Sequence, residues 1–305
     1  PAWPLHRADV PDPMPTRAAR AALRGAPVRA FHATQPQLCP PPGLACVETC
    51  WDLIPTLFPQ TMAGARRGLT RRQHRRYLGR LRHAERVIVT SASVADDVVR
   101  RAGVDRRRVR LIPLGVTPGG GDPAAAADPP YVLYSGSLEP HKNVEVLIRA
   151  LALSRHPELR LVMTGPWSRR RLAAARNAVE SAGLAHRVDL RGHVAAGELR
   201  DLRARATAVA VPSRAEGFGL PALEALAAGV PVVTSTDRAL GEVTGPEAAA
   251  RVDPDDDAGW ARALDAVAAD PPARERAATE GRARAAGFTW TAAAAAVAAV
   301  HREIA

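Results

Sequence analysis

Two glutamates, Glu216 and Glu224, stand eight positions apart around a glycine-rich turn in the stretch PSRAEGFGLPALEALAAGVPVV. Gly217 and Gly219 let the backbone approach a ligand closely, and Pro221 suits the first position of a helix, so Glu224 is expected in that helix's first turn. The free N–H groups and the dipole of such a helix start attract a phosphate by roughly 0.3–1 kcal/mol. Because a glutamate beside a phosphate would be repelled, we interpret both carboxylates as acceptors for sugar or ribose hydroxyls that flank a diphosphate.

Lysine is the rarest basic residue of this chain, since Lys142 is the one lysine among 42 lysines and arginines. A solvated lysine at a helix start would carry no special meaning. The position of Lys142 favours a role, because it follows a predicted strand at Tyr131–Ser135 and a turn at Gly136, where open α/β sheets bind ligands. Lysine binds phosphate as a compact point charge. We therefore predict an anion site at Lys142.

Short apolar runs alternate with helical patterns along the chain, which is typical of parallel α/β sheets. Strands are predicted near residues 28–32, 45–50, 86–90, 109–112, 131–135, 159–164, 187–190, 208–211 and 230–234, and early helices at 70–84 and 93–102. Residues 117–130 are rich in Gly, Pro and Ala without periodicity, which indicates a linker. We predict a Rossmann-like domain at 1–116, the linker at 117–130, a second Rossmann-like domain at 131–287 and a terminal helix at 288–305.

Positive charge is concentrated in the first domain. The 305 residues carry a net charge of +11, and residues 1–116 hold 20 arginines against eight acidic residues. Nine of these arginines lie between Arg66 and Arg86. On a helix they would form two rows at i,i+4 spacing, namely Arg67, Arg71 and Arg75, and Arg72, Arg76 and Arg80. Two interpretations stay open, a solvated helix face and a surface for anionic lipids or a lipid-diphosphate acceptor. Nucleic acid is disfavoured, because Tyr77 is the one aromatic residue among them.

Composition sets further bounds on the class of protein. A hydrophobic content of 47% indicates a globular chain, and the absence of an apolar run near 18 residues predicts no membrane span. Cys39, Cys46 and Cys50 are expected to be free thiols in a reducing compartment, because no CxxC pair or histidine cluster accompanies them. The acidic cluster at 253–257 is interpreted as a loop and a helix start. No metal and no cofactor are expected.

Four segments, SGSLEPHKN, TGPW, PSRAEGFGLPALEALAAGVPVVTS and VDPDD, resemble the nucleotide-sugar-binding half of retaining glycosyltransferases with the GT-B fold, the group 1 transferases. The resemblance covers about residues 28–305. It implies an α/β fold of two Rossmann-like domains that face a cleft, with the terminal helix crossing back to the first domain. About four strands precede the linker, fewer than the family's N-terminal domain has, so this domain is expected to be shortened.

The resemblance also implies roles for individual residues. The glutamate matched by Glu216 contacts hydroxyls of the donor sugar, the one matched by Glu224 contacts the ribose, and the lysine matched by Lys142 binds the diphosphate. The implied catalytic residues are Lys142 and Glu216. The implied donor site adds Gly136, Ser137, His141, Gly165, Gly217, Phe218, Gly219, Leu220 and Glu224.

Departures from the family pattern concern both halves. Ser137 and His141 stand where many members have arginines, so weaker neutralisation of the diphosphate is expected. The acceptor-side candidates are His32, Trp51 and Asp52, and Trp51 replaces the histidine that usually lines the donor-sugar pocket. Trp51 is interpreted either as core packing or as a residue that stacks on a sugar. His32 is either a core histidine or a group of the acceptor site.

The resemblance implies a retaining, metal-independent hexosyltransferase that uses a nucleotide diphosphate sugar and a glycan or lipid-linked acceptor, as in cell-envelope or exopolysaccharide synthesis. Because the matched carboxylates bind hydroxyls, front-face substitution is expected instead of a covalent intermediate. The expected location is cytoplasmic, with peripheral association to the cytoplasmic face of a membrane. The alternative is a catalytically inactive protein that binds nucleotide sugars. A GT-B epimerase fits the GFGLP loop less well.

Overall fold

The structure, a computed structural model, describes residues 29–36, 38, 43–59, 67–118 and 127–304. The chain divides into two compact units. Unit 1 comprises Pro1–Leu53, Met62–Ile112 and Ala294–Ala305, and unit 2 comprises Ile54–Thr61 and Pro113–Ala293. Unit 2 therefore begins a few residues before the predicted linker and includes a short segment from the predicted first domain.

Unit 1 contains a parallel sheet whose four described strands follow one another in chain order. They are β1 (Ala30–Ala33), β2 (Ala45–Cys50), β3 (Arg86–Val89) and β4 (Val109–Leu111). The described helices that contribute to this unit are α2 (Arg67–His83), α3 (Ala92–Ala102) and most of α11 (Trp290–Ile304). The side chain of Ser91 caps α3, and Gly103 ends it in the left-handed conformation. The four predicted strands are confirmed, although Val28 lies outside the described residues.

The last turn of α11 is attached to the strands of unit 1 by ion pairs. Glu303 accepts hydrogen bonds from Arg86 at 2.6 Å and from Arg110 at 2.7 Å. By length and composition, Pro271–Ile304 would also be long and apolar enough to cross a membrane. That stretch holds two helices, α10 (Pro271–Ala285) and α11, which are separated at residues 286–289. The ion pairs at Glu303 hold the last turn of α11 against β3 and β4.

Unit 2 contains a six-stranded parallel sheet in the order β10-β9-β8-β5-β6-β7. The strands are β5 (Tyr131–Ser135), β6 (Arg160–Thr164), β7 (Val188–Gly192), β8 (Ala208–Val211), β9 (Val232–Ser235) and β10 (Ala250–Val252). The five predicted strands of this half are confirmed, and β10 was not predicted. This is a doubly wound sheet. Successive strands are added on one side from β5 to β7 and on the other side from β8 to β10, so the switch point lies between β5 and β8.

The helices of unit 2 cover both faces of this sheet, in line with two separate clusters of buried apolar residues. The described helices assigned to unit 2 are α1 (Ile54–Leu57), α4 (Glu145–Leu153), α5 (Arg169–Ser181), α6 (Ala196–Ala204), α7 (Leu220–Ala228), α8 (Arg238–Thr244), α9 (Asp257–Ala269), α10 and the first residues of α11. Strands buried on both faces read as continuous apolar runs, as AVAV does in β8. Because β5 and β8 are paired neighbours in this sheet, the loops that follow them start side by side.

Candidate functional site

The loops that hold the predicted site residues leave neighbouring strands at the switch point of unit 2. Strands β5 and β8 pair in parallel, and Val132 lies opposite Ala208. Their carboxyl ends therefore lie at the same edge of the sheet, where open α/β sheets bind ligands. Lys142 follows β5, whereas Glu216 and Glu224 follow β8. The topology thus brings together residues that are more than 70 positions apart in the sequence.

Lys142 and Glu216 form an ion pair at this edge. The Lys142 ammonium donates to Glu216 Oε1 at 2.6 Å, and the hydroxyl of buried Ser213 donates to the same oxygen at 2.6 Å. The Glu216 side chain is 9% exposed and that of Lys142 is 20% exposed. The glutamate is therefore the deeper partner, held by two donors, and the ammonium retains some access to solvent.

A second set of hydrogen bonds joins the two loops on either side of this pair. The backbone N–H of Arg214 donates to the His141 carbonyl at 2.7 Å. The Asn143 amide donates to the Pro212 carbonyl at 3.3 Å and accepts from the Arg214 guanidinium at 3.2 Å. Asn143 adopts φ +53°, a left-handed conformation that asparagine tolerates better than most residues. The neighbours of Lys142 and of Glu216 are thereby fixed to one another.

His141, a predicted donor-site residue, is buried and lies against Phe58, with ring centroids 6.1 Å apart. Burial lowers the pKa of His141, and the adjacent charge of Lys142 lowers this pKa further. Within the described part of the chain, its Nδ1 has no hydrogen-bond partner. The lowered pKa favours the neutral form of His141 near pH 7, in which its ring carries no positive charge.

Two predicted glycines allow a close approach of the loops after β5 and β6. A Cβ on Gly165 would lie 2.0 Å from the carbonyl oxygen of Gly136, and that carbonyl accepts from the Trp167 indole at 2.8 Å. The Ser137 carbonyl accepts from the Tyr134 hydroxyl at 2.5 Å. A side chain at Gly165 would therefore push the two loops apart, whereas a Cβ on Gly136 would meet the Tyr134 hydroxyl at 2.8 Å.

Helix α7 starts one residue earlier than predicted. Gly219, at φ +102°, is its N-cap, so Leu220 takes the first helical position and Pro221 the second. Proline is tolerated there because the first N–H groups of a helix have no partner within the helix. Glu224 is consequently the fifth helical residue, and its predicted place in the first turn was wrong. Next to the N-cap, Phe218 is buried with its ring edge toward Phe288.

Glu224 has a basic partner that sequence reasoning missed. Arg203, on α6, donates from Nη2 to Glu224 Oε2 at 2.5 Å. The arginine is the deeper partner here, with 10% of its side chain exposed against 33% for Glu224. Burial lowers the pKa of Arg203, while the Glu224 carboxylate acts in the opposite direction. Nothing in the sequence distinguishes Arg203 from the other arginines of the segment RDLRAR.

Asp237 is a second missed residue. It caps α8 by accepting from the Leu240 N–H at 3.1 Å, and its carboxylate also accepts from the backbone N–H of Glu216. Burial, together with the nearby Glu216 charge, raises the pKa of Asp237 to about 6. An aspartate before a helix is a common cap, so its spacing alone could not reveal the contact with the Glu216 loop.

The acceptor-side candidates belong to unit 1. His32 lies 2.8 Å from the Thr49 hydroxyl and 3.0 Å from the His301 ring nitrogen. Burial, and then His301, lower the pKa of His32 to about 4. Trp51 is 40% exposed, and its indole donates to the Thr34 carbonyl at 2.7 Å, so core packing is the wrong interpretation of this residue. Asp52 follows it in a half-buried position.

The arginine-rich helix α2 is divided between a solvent face and inward contacts. Four arginines are exposed, namely Arg71, Arg72, Arg75 and Arg76. Arg80 instead pairs with the buried carboxylate of Glu48 at 2.9 Å and donates to the Pro36 carbonyl at 2.6 Å. The predicted row that ends at Arg80 is therefore not a uniform surface row. Arg66 and the side chain of Arg67 lie outside what the structure describes.

The described cysteines are free thiols, and the acidic cluster at 253–257 contains a helix cap. Cys46 and Cys50 are free thiols, and burial raises the pKa of both to about 12, whereas Cys39 lies outside the described residues. Asp256 caps α9. Among the residues that the structure describes, no group of three or more His, Cys, Asp and Glu side chains could hold a metal ion.

Comparison with known proteins identifies the family. The family model described as Glycosyl transferases group 1 matches residues 122–284, more than half of the chain. The chain belongs to the group 1 glycosyltransferases. The model described as Glycosyltransferase Family 4 matches residues 3–119 of this glycosyltransferase chain. The resemblance drawn from the sequence motifs is thus confirmed.

Curated relatives carry the names of different transferases. A D-inositol 3-phosphate glycosyltransferase of Rhodococcus opacus is 32% identical over 225 residues, which are 68% of this chain and 50% of the relative. A glycogen synthase of Mycobacterium tuberculosis is 35% identical over 235 residues, or 72% of this chain and 55% of the relative. The chain spans about half the length of the curated relatives it matches.

Solved structures confirm the predicted fold class, an α/β fold with two parallel sheets of the GT-B type. Sucrose-phosphate synthase from Thermosynechococcus elongatus matches with a TM-score of 0.79 and 25% identity, over 94% of this chain and 76% of that one. WaaG, a glycosyltransferase involved in lipopolysaccharide biosynthesis, matches with a TM-score of 0.72 and 19% identity, over 92% and 80% of the two chains. HepE of Anabaena, solved with UDP and glucose, has a TM-score of 0.73 at 20% identity, over 85% and 72%.

Proposed function

We propose that this group 1 glycosyltransferase moves a sugar from a nucleotide diphosphate sugar to a glycan or lipid-linked acceptor with retention of the anomeric configuration and without a metal. The observation that carries the proposal is the site at the β5/β8 switch point. Lys142 and Glu216 form an ion pair there, and Glu224 lies on α7, the helix that follows the Glu216 loop. An ammonium and a helix start suit a diphosphate, and carboxylates suit hydroxyls.

In this proposal each part of the donor has its own partner. The diphosphate lies at the free N–H groups of Gly219 and Leu220 and receives the charge of Lys142. The sugar hydroxyls donate to Glu216 and the ribose hydroxyls to Glu224. Gly165 lets the loops after β5 and β6 approach each other closely, because a side chain there would meet the Gly136 carbonyl. No cofactor is required besides the donor.

The proposed reaction is a front-face substitution. The bond between the anomeric carbon and the diphosphate oxygen breaks, and the acceptor oxygen bonds to that carbon on the same face. The acceptor's proton passes to the departing diphosphate oxygen. Lys142 and the backbone N–H groups stabilise the negative charge that develops there. In this proposal Glu216 binds sugar hydroxyls and does not attack the anomeric carbon, and Ser213 still donates to its Oε1 when Lys142 turns to the diphosphate.

Turnover measurements test this proposal. The chain is incubated with UDP, GDP and dTDP sugars, and the release of nucleotide diphosphate is measured with and without EDTA. We expect release from one class of donor, unaffected by EDTA, and an α-linked product from an α-linked donor. A β-linked product would contradict retention, and loss of turnover in EDTA would contradict metal independence.

The same assay addresses the alternative, an inactive protein that binds nucleotide sugars. The exposed Trp51, at the position of the family's pocket histidine, favours this alternative. An inactive protein would gain heat stability from the donor, since binding to the folded state alone stabilises it, but would release no nucleotide diphosphate. A donor that raises the melting temperature without turnover would therefore replace the transferase proposal with the binding one.

We also propose that α2 meets an anionic membrane surface on the cytoplasmic side, where a lipid-linked acceptor would be presented. Four exposed arginines support this proposal, namely Arg71, Arg72, Arg75 and Arg76. Each basic residue near an anionic surface contributes about 1 kcal/mol of attraction. This attraction is screened beyond roughly 10 Å at 0.1 M salt, so vesicle binding should weaken steeply as salt is added.

Vesicle sedimentation with phosphatidylserine tests the membrane proposal. Replacing the four arginines with Gln should abolish binding, and neutral vesicles should bind neither protein. A matched control replaces four other exposed arginines of unit 1 that have acidic partners, Arg100, Arg101, Arg106 and Arg107. Equal binding by the wild type and the α2 variant would leave only a solvated helix face.

A further inference from the structure

The carboxylate proposed to bind the ribose is supported from the protein interior by one arginine. Arg203 reaches from α6 to Glu224 on α7, and its guanidinium is more deeply buried than the carboxylate it contacts. A charge taken out of water is costly unless it is paired. The partner of this buried charge is the one carboxylate of α7, a third of which remains open to solvent.

The contact uses one oxygen of the carboxylate. Arg203 Nη2 meets Glu224 Oε2 at 2.5 Å, while Oε1 has no hydrogen-bond partner within the described ranges. A solvated ion pair must order two long side chains, which offsets much of its attraction. Here the arginine side chain is only 10% exposed, so burial restricts its conformers and the pair orders Glu224 before a ligand arrives. Preorganised groups lose less entropy when they bind.

We propose that Arg203 is a positioning residue for ribose recognition: it holds the Glu224 carboxylate so that Oε1 accepts from the ribose hydroxyls of the donor nucleotide. The inference rests on the proposed function, in which Glu224 faces the ribose. Arg203 itself touches no part of the donor. It acts through Glu224, so its loss should weaken the preference for ribose more than the affinity for the diphosphate.

The test compares ribose and deoxyribose nucleotides by calorimetry. The probes are UDP, GDP and dTDP, the 2′-deoxy and 3′-deoxy counterparts of UDP and GDP, and inorganic pyrophosphate. For the base that binds more tightly, we expect the wild type to prefer the ribonucleotide about 10-fold over at least one deoxy analogue, as for the loss of a hydrogen bond to a charged group. In Arg203→Met, which keeps the apolar stem, this preference should fall below about 2-fold, with pyrophosphate affinity unchanged.

Two further variants separate positioning from folding. Arg203→Lys keeps a charge and should restore part of the ribose preference, which also provides a measurement if Arg203→Met does not fold. Arg200→Met is the matched control, because Arg200 is an exposed arginine on the same helix. The ribose preference of this variant should equal that of the wild type.

The outcomes distinguish this inference from the proposed function. A wild type that binds none of UDP, GDP and dTDP contradicts the proposed function itself. A wild type that binds a nucleotide but shows no ribose preference overturns the role of Arg203, and so does an Arg203→Met or Arg203→Lys protein with an undiminished preference. The inference is supported if the ribose preference falls in Arg203→Met, is partly restored in Arg203→Lys and equals that of the wild type in Arg200→Met.

Discussion

Glu216 and Glu224 are each paired with a basic side chain, but the two pairs are built in opposite ways. In the loop after β8, Glu216 is the deeper partner, and Lys142 reaches it from a more exposed position. In the pair between α6 and α7, Arg203 is the deeper partner and Glu224 is the more exposed one. The first pair therefore presents a cation to solvent, and the second presents a carboxylate. A ligand with a phosphate at one end and hydroxyls at the other would meet complementary groups at both.

The two cations also differ in what they can do when a ligand arrives. The lysine ammonium is a point charge on a flexible stem, so it can turn from Glu216 toward a phosphate. Ser213 would still donate to Glu216 after such a turn. The planar guanidinium of Arg203 is held in place by burial and by Glu224. We therefore expect the first pair to rearrange when the donor binds and the second to stay as it is.

The largest effect is expected when the exposed cation is removed. If Lys142 stabilises the leaving diphosphate, Lys142→Ala should lower turnover by about 10²–10³, as losing one preorganised charge stabiliser does. Lys142→Arg should be only partly tolerated, since a planar fork does not occupy the ammonium's position. Steady-state kinetics with a saturating donor measures both variants, and a Lys142→Ala protein with wild-type turnover would remove Lys142 from the mechanism.

A smaller effect, on stability, tests which partner of the second pair is deeper. Glu224→Ala leaves a buried guanidinium without its carboxylate and should lower the free energy of unfolding by about 1–3 kcal/mol. Arg203→Met leaves a carboxylate that water can reach, so its cost should be smaller. Urea denaturation with equal m-values provides the comparison. A larger loss for Arg203→Met would mean that Glu224, and not Arg203, needs its partner more.

The smallest effect concerns Asp237, whose carboxylate accepts from the backbone N–H of Glu216. Its pKa of about 6 in the folded chain exceeds the ordinary value of 3.8, so between these pH values the folded state holds the proton more tightly than the unfolded state. The contribution of Asp237 to the free energy of unfolding is therefore highest below pH 4 and falls as the pH rises through 6.

Asp237→Asn keeps a capping side chain and removes this titration. From pH 4 to pH 7 the stability of the variant relative to the wild type should rise by about 1 kcal/mol, a value reduced for partial exposure to solvent. Urea denaturation at pH 4, 5, 6 and 7 measures this difference. A difference that does not change with pH would show that Asp237 is already ionised at pH 4.

Much of the fold could be predicted because buried parallel strands give continuous apolar runs. Strands β5 and β8 have the predicted bounds for this reason. Strand β10 was missed because its three residues, ARV, include a charge and lie at the edge of the sheet. The strand order was not visible in the sequence, since no local pattern states which strands pair. It is this order that brings the Lys142 loop beside the Glu216 loop.

The site shows the same division between local and tertiary information. The spacing of Glu216 and Glu224 and the rarity of lysine are visible in the sequence, and the prediction of these residues rests on them. Arg203 gives no such signal, because arginine is common throughout the chain and only its burial distinguishes it. Trp51 was ambiguous for a related reason, since an aromatic residue after a strand suits a core as well as a surface.

The central claim is that the two glutamates bind different parts of one donor, and calorimetry on two variants tests it most directly. Losing a hydrogen bond to a charged acceptor costs roughly 1.5–3 kcal/mol. Glu224→Ala should therefore weaken free nucleotide diphosphate and nucleotide sugar alike, whereas Glu216→Ala should weaken the nucleotide sugar and spare the free nucleotide diphosphate. Equal losses for both ligands in both variants would contradict this division of roles.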